Sequence, residues 1–222
     1  IIDPSAKIAD DVEIGAYSII DKNVYISEGT VIKENVVIRE NTSIGKNNLI
    51  YQFATIGEAP QDLKFKNEKT TCTIGDNNTF REYCSIHRGT LDGISDTNIG
   101  NGNLFMAYTH VAHDCIIKNN CILSNGASLA GHVNLDSYVS LGGFTLVHQF
   151  CHIGEYAFSG LGTVISQDVT PYTLVAGNHA KAYKINSVGL KRKGFDSESI
   201  LNLEKTFKLF VKSKKTATFD RP

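Results

Sequence analysis

The sequence has no tryptophan, one methionine and four prolines in 222 residues. It also has no apolar run near the roughly 20 residues that cross a bilayer. Its first residues, Ile1-Ile2-Asp3-Pro4, form neither a basic segment nor an apolar one, so no membrane span or secretory signal is expected and the chain is placed in the cytoplasm. No initiator methionine precedes Ile1, which reads as processing or trimming upstream. The five cysteines are an odd number without an export signal, which points to reduced thiols and excludes a disulfide-stapled mini-fold. G-x-S-x-G, a Walker A loop and a complete G-x-G-x-x-G are all missing, and the serine-hydrolase, P-loop and Rossmann readings fail with them. An excess of charge is missing too: 22 basic residues meet 23 acidic ones, which argues against bulk nucleic-acid binding. The balance is uneven, with 11 basic and 4 acidic residues in 181–222, so an anionic partner would meet the C-terminal region. At 41% hydrophobic and 20% charged the chain can bury a core, and disorder is excluded.

What the sequence does have is a repeat. Every sixth residue from Ile2 to Ile56 is isoleucine, ten in register. The spacing returns at Ile74, Phe80 and Ile86, and again from Ile99 to Ile165, with Ser159 the one leader that is not large and apolar. The fifth residue of each hexad is Ala, Val, Ser, Thr or Cys in 21 of 25, the exceptions being Asn48, Pro60, Asn78 and Asn103. A period of six is neither a helix nor an alternating strand, so each hexad is a short strand plus a corner. Three hexads, 18 residues, close one coil of a parallel β-helix, an all-β solenoid with leader and fifth residue inward. Gly, Asn and Asp at the second to fourth positions suit the corners. Cys84, Cys115, Cys121 and Cys151 fall on the inward fifth position and are core fillers.

Register breaks at 58–73 and 92–98, which predict loops projecting from the coils, and the hexads stop at Pro171. The solenoid is therefore assigned to 1–170 and a connector with a short α-helical region to 171–222. Asp196 is the expected N-cap of an amphipathic helix over 197–213, with Ile200, Leu203, Phe207 and Phe210 on one face, suited to cover the open end of the solenoid.

Eighteen residues advance one coil on the same face, so His113, Gly131, Gln149 and Gln167, all third residues of hexads, form an outward column. His132 and His148 flank it, His110 lies before its corner, and Arg88 and His87 extend it if 92–98 is a pure insertion. An imidazole near pKa ~6.5 can take a proton from a hydroxyl at neutral pH. A backbone N–H one coil away, at ~4.8 Å, can stabilise an oxyanion, and glycine there admits close approach. His113 and Gly131 fit that geometry. The histidine pairs at 110/113 and 148/152 lack an evident carboxylate or thiolate partner set, so no metal is expected, and no cofactor.

Thr109-His-Val-Ala-His-Asp-Cys115, Leu129-Ala-Gly-His132, Val147-His-Gln-Phe-Cys151, Gly177-Asn-His-Ala180 and Gly189-Leu-Lys-Arg-Lys-Gly194, with Gln61-Asp-Leu-Lys64 and Ile86-His-Arg-Gly-Thr90, resemble the UDP-N-acetylglucosamine 3-O-acyltransferases over nearly the whole chain. The chirality rule for parallel crossovers alone would predict a right-handed coil, whereas the resemblance implies a left-handed one. It further implies a homotrimer with sites between subunits, acting on UDP-N-acetylglucosamine with an acyl carrier protein bearing a 3-hydroxyacyl chain, at the opening of lipid A synthesis. On that resemblance His113 is the general base, Asp114 assists it and the Gly131 N–H forms the oxyanion hole. Asp62, Lys64, His87, His110, His132, His148 and Gln149 hold sugar and acyl groups, Asn186, Arg192 and Lys193 reach the nucleotide, and Met106, Leu161 and His179 bound the acyl pocket. Lys193 stands where the family has a second arginine, Val188 where it has an acid, and the helical region ends early against the family pattern.

Other classes stay open on the residues. A related N-acyltransferase would carry an extra N-terminal uridine-binding domain, and an acetyl-CoA-dependent sugar acetyltransferase would lack the Gln61–Lys64 loop. A non-catalytic scaffold would need no histidine column, and a gamma-class carbonic anhydrase would need a three-histidine zinc site.

Overall fold

The computed structural model describes residues 1–212. Two-residue strands, each a leader and the residue before it, stack into three parallel sheets that form the faces of a triangular prism. The first face runs from Lys7–Ile8 to His152–Ile153, the second from Glu13–Ile14 through Phe158–Ser159, and the third from Ile19–Ile20 to Val164–Ile165. Register advances by 18 residues, as in Val111↔Leu129 and Ile117↔Leu135. Leaders from Ile20 to Ile165 are almost without exposure, and each buried Ile or Leu contributes about 1.5–3 kcal/mol. Ser159 fills its leader position by hydrogen bonding: its hydroxyl meets the Thr145 hydroxyl at 2.8 Å and accepts from the Gly142 N–H at 3.0 Å.

The three asparagines that broke the small-residue column form a ladder of their own. The Asn48 side-chain oxygen accepts from the Asn78 N–H at 2.9 Å, that of Asn78 from the Asn103 N–H at 2.9 Å, and that of Asn103 from the Cys121 N–H at 2.7 Å. Their NH₂ groups donate to Gly75, Gly100 and Lys118 carbonyls of successive coils. All five cysteines are buried and free. Cys72 pairs in register with Thr42 and Thr97 and so occupies the inward small position as well, hidden from the hexad count by the insertion before it.

The corners differ from expectation. Left-handed backbone is concentrated at the fourth residue, and aromatic side chains adopt it as well as Asn and Asp: φ is 61° at Tyr83, 63° at Tyr108 and 65° at Phe150. The conformation costs roughly 1–2 kcal/mol, which stacking on the ring one coil away offsets in part; Phe53–Tyr83 and Tyr83–Tyr108 centroids are 5.1 and 4.8 Å apart.

The boundaries move as well. Strand Thr55–Glu58 takes the first residue of the expected 58–73 loop and strand Thr71–Ile74 its last three, leaving a first loop of 59–70. Strand Asp96–Ile99 takes the end of 92–98, and the second loop is 88–95. The solenoid also runs past 170: Thr173–Ala176 pairs in parallel with Phe158–Ser159, and Lys181–Ile185 returns antiparallel on it. That hairpin lies over the last coil, with Ala180 and Ala182 against the main core. Helix α1 (Ser187–Arg192) and helix α2 (Ser197–Phe207) pack outside it around Ile185, Leu190 and Phe207. Asp196 caps α2, accepting from the Ser199 N–H at 2.8 Å, and a π-helical turn, Lys208–Lys212, replaces the rest of the expected 197–213 helix; residue 213 lies outside the described residues.

Candidate active site

The corner from third face to first face follows Val111 and carries His113 at its third residue and Asp114 at its fourth, where φ is 60°. This backbone turns the Asp114 carboxylate inward, to 3% exposure, and leaves the His113 ring outside it. His113 Nδ1 donates to Asp114 Oδ2 at 2.8 Å. The Thr90 N–H donates to both carboxylate oxygens at 3.1 Å, the Thr90 hydroxyl to Oδ2 at 2.6 Å, and the Ile94 N–H to Oδ1 at 2.9 Å. Burial pushes the Asp114 carboxyl up, but the Thr90 hydroxyl, the His113 ring and the Thr90 N–H outweigh it and hold the group below the ordinary carboxylate range. An ionised carboxylate only accepts, so it fixes the proton of neutral His113 on Nδ1 and leaves the Nε2 lone pair free.

Nε2 faces the next coil. A Cβ at Gly131 would lie 2.8 Å from it and 2.7 Å from Cε1, so any side chain there would displace the ring. Among the described residues no acceptor takes the Gly131 N–H, whereas the neighbouring Ala130 and His132 N–H groups donate to Val147 and His113 carbonyls. A basic nitrogen and an unpaired donor thus border one space. His132 meets His113 edge-on at 5.1 Å and stacks on Phe150 at 4.5 Å. Gln61, Asp62, Leu63 and Lys64 of the first loop and Thr90 and Asp92 of the second close over them, forming with Gln149 a cleft of about 780 Å³. The first loop reaches there through a turn in which Asp62 accepts from the Lys64 N–H at 2.9 Å.

His113, Asp114 and His132 place potential ligand atoms within 4.8 Å of one another. Both Asp114 oxygens already accept from backbone, hydroxyl and ring donors, which a cation at the trio would have to displace.

The expected site residues are gathered only in part. His113, His132, Gln149, Asp62 and Lys64 share the cleft, and Gly131 lies against the His113 ring. His148 stays exposed beside it, its Nδ1 donating to the Gln149 carbonyl at 3.2 Å, and Gln167 lies farther along, near Ser166 and His179. His87 and Arg88 are not part of an outward column: they are buried, at 3% and 4% exposure, Arg88 with Phe65 of the first loop against its guanidinium at 5.4 Å. Burial, with His110 and His113 nearby, lowers His87 to about 4. His110 packs edge-on against it at 4.7 Å and shares a 2.8 Å hydrogen bond with Ser85; burial lowers its pKa too.

The remaining residues lie on other corners. Asn186 is the N-cap of α1, accepting from the Gly189 N–H at 3.2 Å and donating to the Tyr156 carbonyl at 3.1 Å, so its amide is engaged within the chain. Lys193 rests over the Tyr138 ring at 5.0 Å, on the corner between first and second faces, with Arg192 beside it. Met106 and Leu161 stand on the corner between second and third faces, Leu161 79% exposed with its Cδ1 over Gly143. His179 is across the third face, 3.4 Å from the Ser166 hydroxyl. The sequence assigns no role to Thr90, Gly93 or Ile94; Thr90 stands in a resemblance motif and among the small fifth residues of hexads, a class that conceals a hydroxyl aimed at Asp114.

Comparison with known proteins gives concordant results. The family described as "Udp N-acetylglucosamine O-acyltransferase; Domain 2" matches residues 168–220, and "Bacterial transferase hexapeptide (six repeats)" matches 96–131. The acyl-[acyl-carrier-protein]–UDP-N-acetylglucosamine O-acyltransferase of Ectopseudomonas mendocina is 52% identical over 209 residues, 94% of this chain and 81% of the relative. The solved LpxA of Acinetobacter baumannii superposes with a TM-score of 0.95 at 47% identity, covering 97% of this chain and 84% of that one. The UDP-N-acetylglucosamine O-acyltransferase of Moraxella catarrhalis gives 0.96 at 45%, with 97% and 84% covered. The solenoid is the left-handed parallel β-helix of these proteins.

Proposed function

The chain belongs to the acyl-[acyl-carrier-protein]–UDP-N-acetylglucosamine O-acyltransferase family and is an O-acyltransferase, and from that premise we propose that it moves a 3-hydroxyacyl group from acyl carrier protein to the 3-hydroxyl of UDP-N-acetylglucosamine, opening lipid A synthesis. The observation that carries the mechanism is the contact of the His113 ring with Gly131 of the next coil, whose N–H has no acceptor among the described residues. Nε2 takes the proton as the sugar oxygen attacks the thioester carbonyl. The oxyanion accepts from Gly131 N–H. As the C–S bond breaks, the proton on His113 passes to the departing thiolate. Asp114 holds the ring throughout and steadies its charged form.

The cysteines are poorly suited to act as a covalent nucleophile, being buried. Burial raises the Cys84 thiol to about 11 and Cys115 and Cys121 to about 12, far from the thiolate a covalent step needs. Asp62 and Lys64 face His113 in position to hold the sugar. The placement of Arg192, Lys193, Met106 and Leu161 on corners away from His113 favours sites completed between copies of a homotrimer, with the basic C-terminal region facing the acidic carrier protein. The test is direct. Purified protein, UDP-N-acetylglucosamine and 3-hydroxyacyl carrier protein should yield a monoacylated sugar nucleotide by mass spectrometry, esterified at O3. Absence of product with every carrier chain length, or acylation elsewhere, refutes the reading.

A further inference from the structure

The second loop, 88–95, folds around a single side chain. Three of the four donors to Asp114 come from it: the Thr90 N–H, the Thr90 hydroxyl and the Ile94 N–H. Between them Gly93 presses so close that a Cβ there would lie 2.3 Å from the Asp114 carboxyl carbon. The loop is itself pinned. Gly93 and Ser95 N–H groups donate back to the Thr90 carbonyl at 3.2 and 3.0 Å, and the Gly89 N–H to the Thr71 carbonyl at 3.0 Å. At its root the buried Arg88 guanidinium reaches the Gly57 carbonyl at 3.3 Å and Glu40 at 3.4 Å. A tolerated surface insertion has no need to place three donors on one carboxylate in another coil.

We propose that the second loop is a cradle for the Asp114 carboxylate and that Thr90 is a positioning residue of the transfer reaction, its hydroxyl setting the orientation of the group that holds His113. The inference rests on the reading of His113 as general base. Thr90 touches no reacting atom and acts through Asp114. A 2.6 Å hydroxyl bond to an ionised carboxylate is a strong, charge-assisted one; it draws negative charge away from Oδ2, the oxygen that His113 also uses. Without it the carboxylate grips the imidazolium more tightly, so His113 binds its proton more firmly while the ring loses a fixed support. Other charged or titratable groups face the dyad: His132 from the next coil, Asp62 and Lys64 from the first loop, Asp92 from the second, and His87 and His110 from the coil before. Replacing Thr90 removes none of these groups.

The experiment compares Thr90→Val, Thr90→Ala and Thr90→Ser in the whole enzyme by the pH dependence of kcat and by NMR titration of the His113 ring. Both removals should move the acid limb and the ring titration to higher pH by about half a unit or more, and lower kcat at neutral pH by about 3- to 10-fold. KM for the sugar nucleotide should stay within about two-fold, and Thr90→Ser should restore both profiles. Thr90→Ala covers the case in which valine crowds the carboxylate and the variant fails to fold. A wild-type acid limb in the removal variants, or a Thr90→Ser variant no better than Thr90→Ala, overturns the cradle. If His113→Ala is inactive in that same series, only the cradle has failed; if it is fully active, the general-base reading has failed and the cradle with it.

Discussion

Two corners of the same coil use the same backbone to opposite ends. Between first and second faces, inside the turn, Asn48, Asn78 and Asn103 pass hydrogen bonds from coil to coil until every amide is satisfied. Between third and first faces the turn repeats with the same left-handed fourth residue, at Asp114, His132 and Phe150, yet among the described residues His113 Nε2 and the Gly131 N–H have no partner. Buried polar groups that are all paired fix a structure. Groups held in place and left unpaired are available to a substrate. The difference separates a corner whose polar groups are spent on the coil from one whose polar groups are open to a ligand, although the repeat makes both from hexads of one pattern.

The largest effect expected from breaking that contrast is at Gly131. Gly131→Ala brings a methyl within 2.7–2.8 Å of the His113 ring, which must rotate off Asp114, and turnover should fall on the order of 10² with little change in melting temperature. On the other corner, Asn78→Ala leaves the Asn48 oxygen, the Gly100 carbonyl and the Asn103 N–H short of partners. The Asn48 oxygen keeps the residue-78 N–H, so two groups lose their partner, and at about 1–3 kcal/mol each melting should drop by roughly 5–20 °C while turnover below that temperature holds. A smaller effect is set by pH. His87, lowered to about 4 by burial, is neutral in the fold and near 6.5 when unfolded. The unfolded chain therefore binds the extra proton first, and stability present above about pH 6.5 is lost as pH falls toward 4, by at most about 3 kcal/mol. His87→Gln should flatten that segment of the urea-midpoint curve against pH. The smallest change is one of preference. Leu161 projects over Gly143, and Leu161→Gly should move the donor optimum to longer acyl chains, each methylene weighing about 1–3 kcal/mol; an unchanged optimum places the limit elsewhere.

The leader and fifth-residue columns were legible because a solenoid repeats one physical environment every six residues, and Ile20 to Ile165 and the four hexad cysteines lie inside as that period requires. The adjacency of His113 and Gly131 was legible for the same reason: 18 residues is one coil. Insertions break this reading. Cys72 falls out of register, Arg88 and His87 read as lying on an open wall although both are buried, and the path of 88–95 around Asp114 has no periodic signal at all. Size classes also hide chemistry. Thr90 reads as a small core residue, and the asparagines read as defects, because a composition column records volume and not the direction of a hydroxyl or an amide. The hairpin at 173–185 escaped notice because its antiparallel return follows a 16-residue coil and leaves the 18-residue count. The residues at 186–193 and at 106, 161 and 179 were assigned by resemblance, and no spacing within one chain gathers them.

The most direct test measures turnover and melting temperature of His113→Ala and Asn78→Ala side by side, with UDP-N-acetylglucosamine and a 3-hydroxyacyl carrier protein as substrates. The two corners predict a crossed result: His113→Ala loses at least about 10² in turnover at the wild-type melting temperature, and Asn78→Ala melts early but turns over normally while folded. Near-normal turnover by His113→Ala, or a loss of folding in that variant as large as that of Asn78→Ala, would contradict the account.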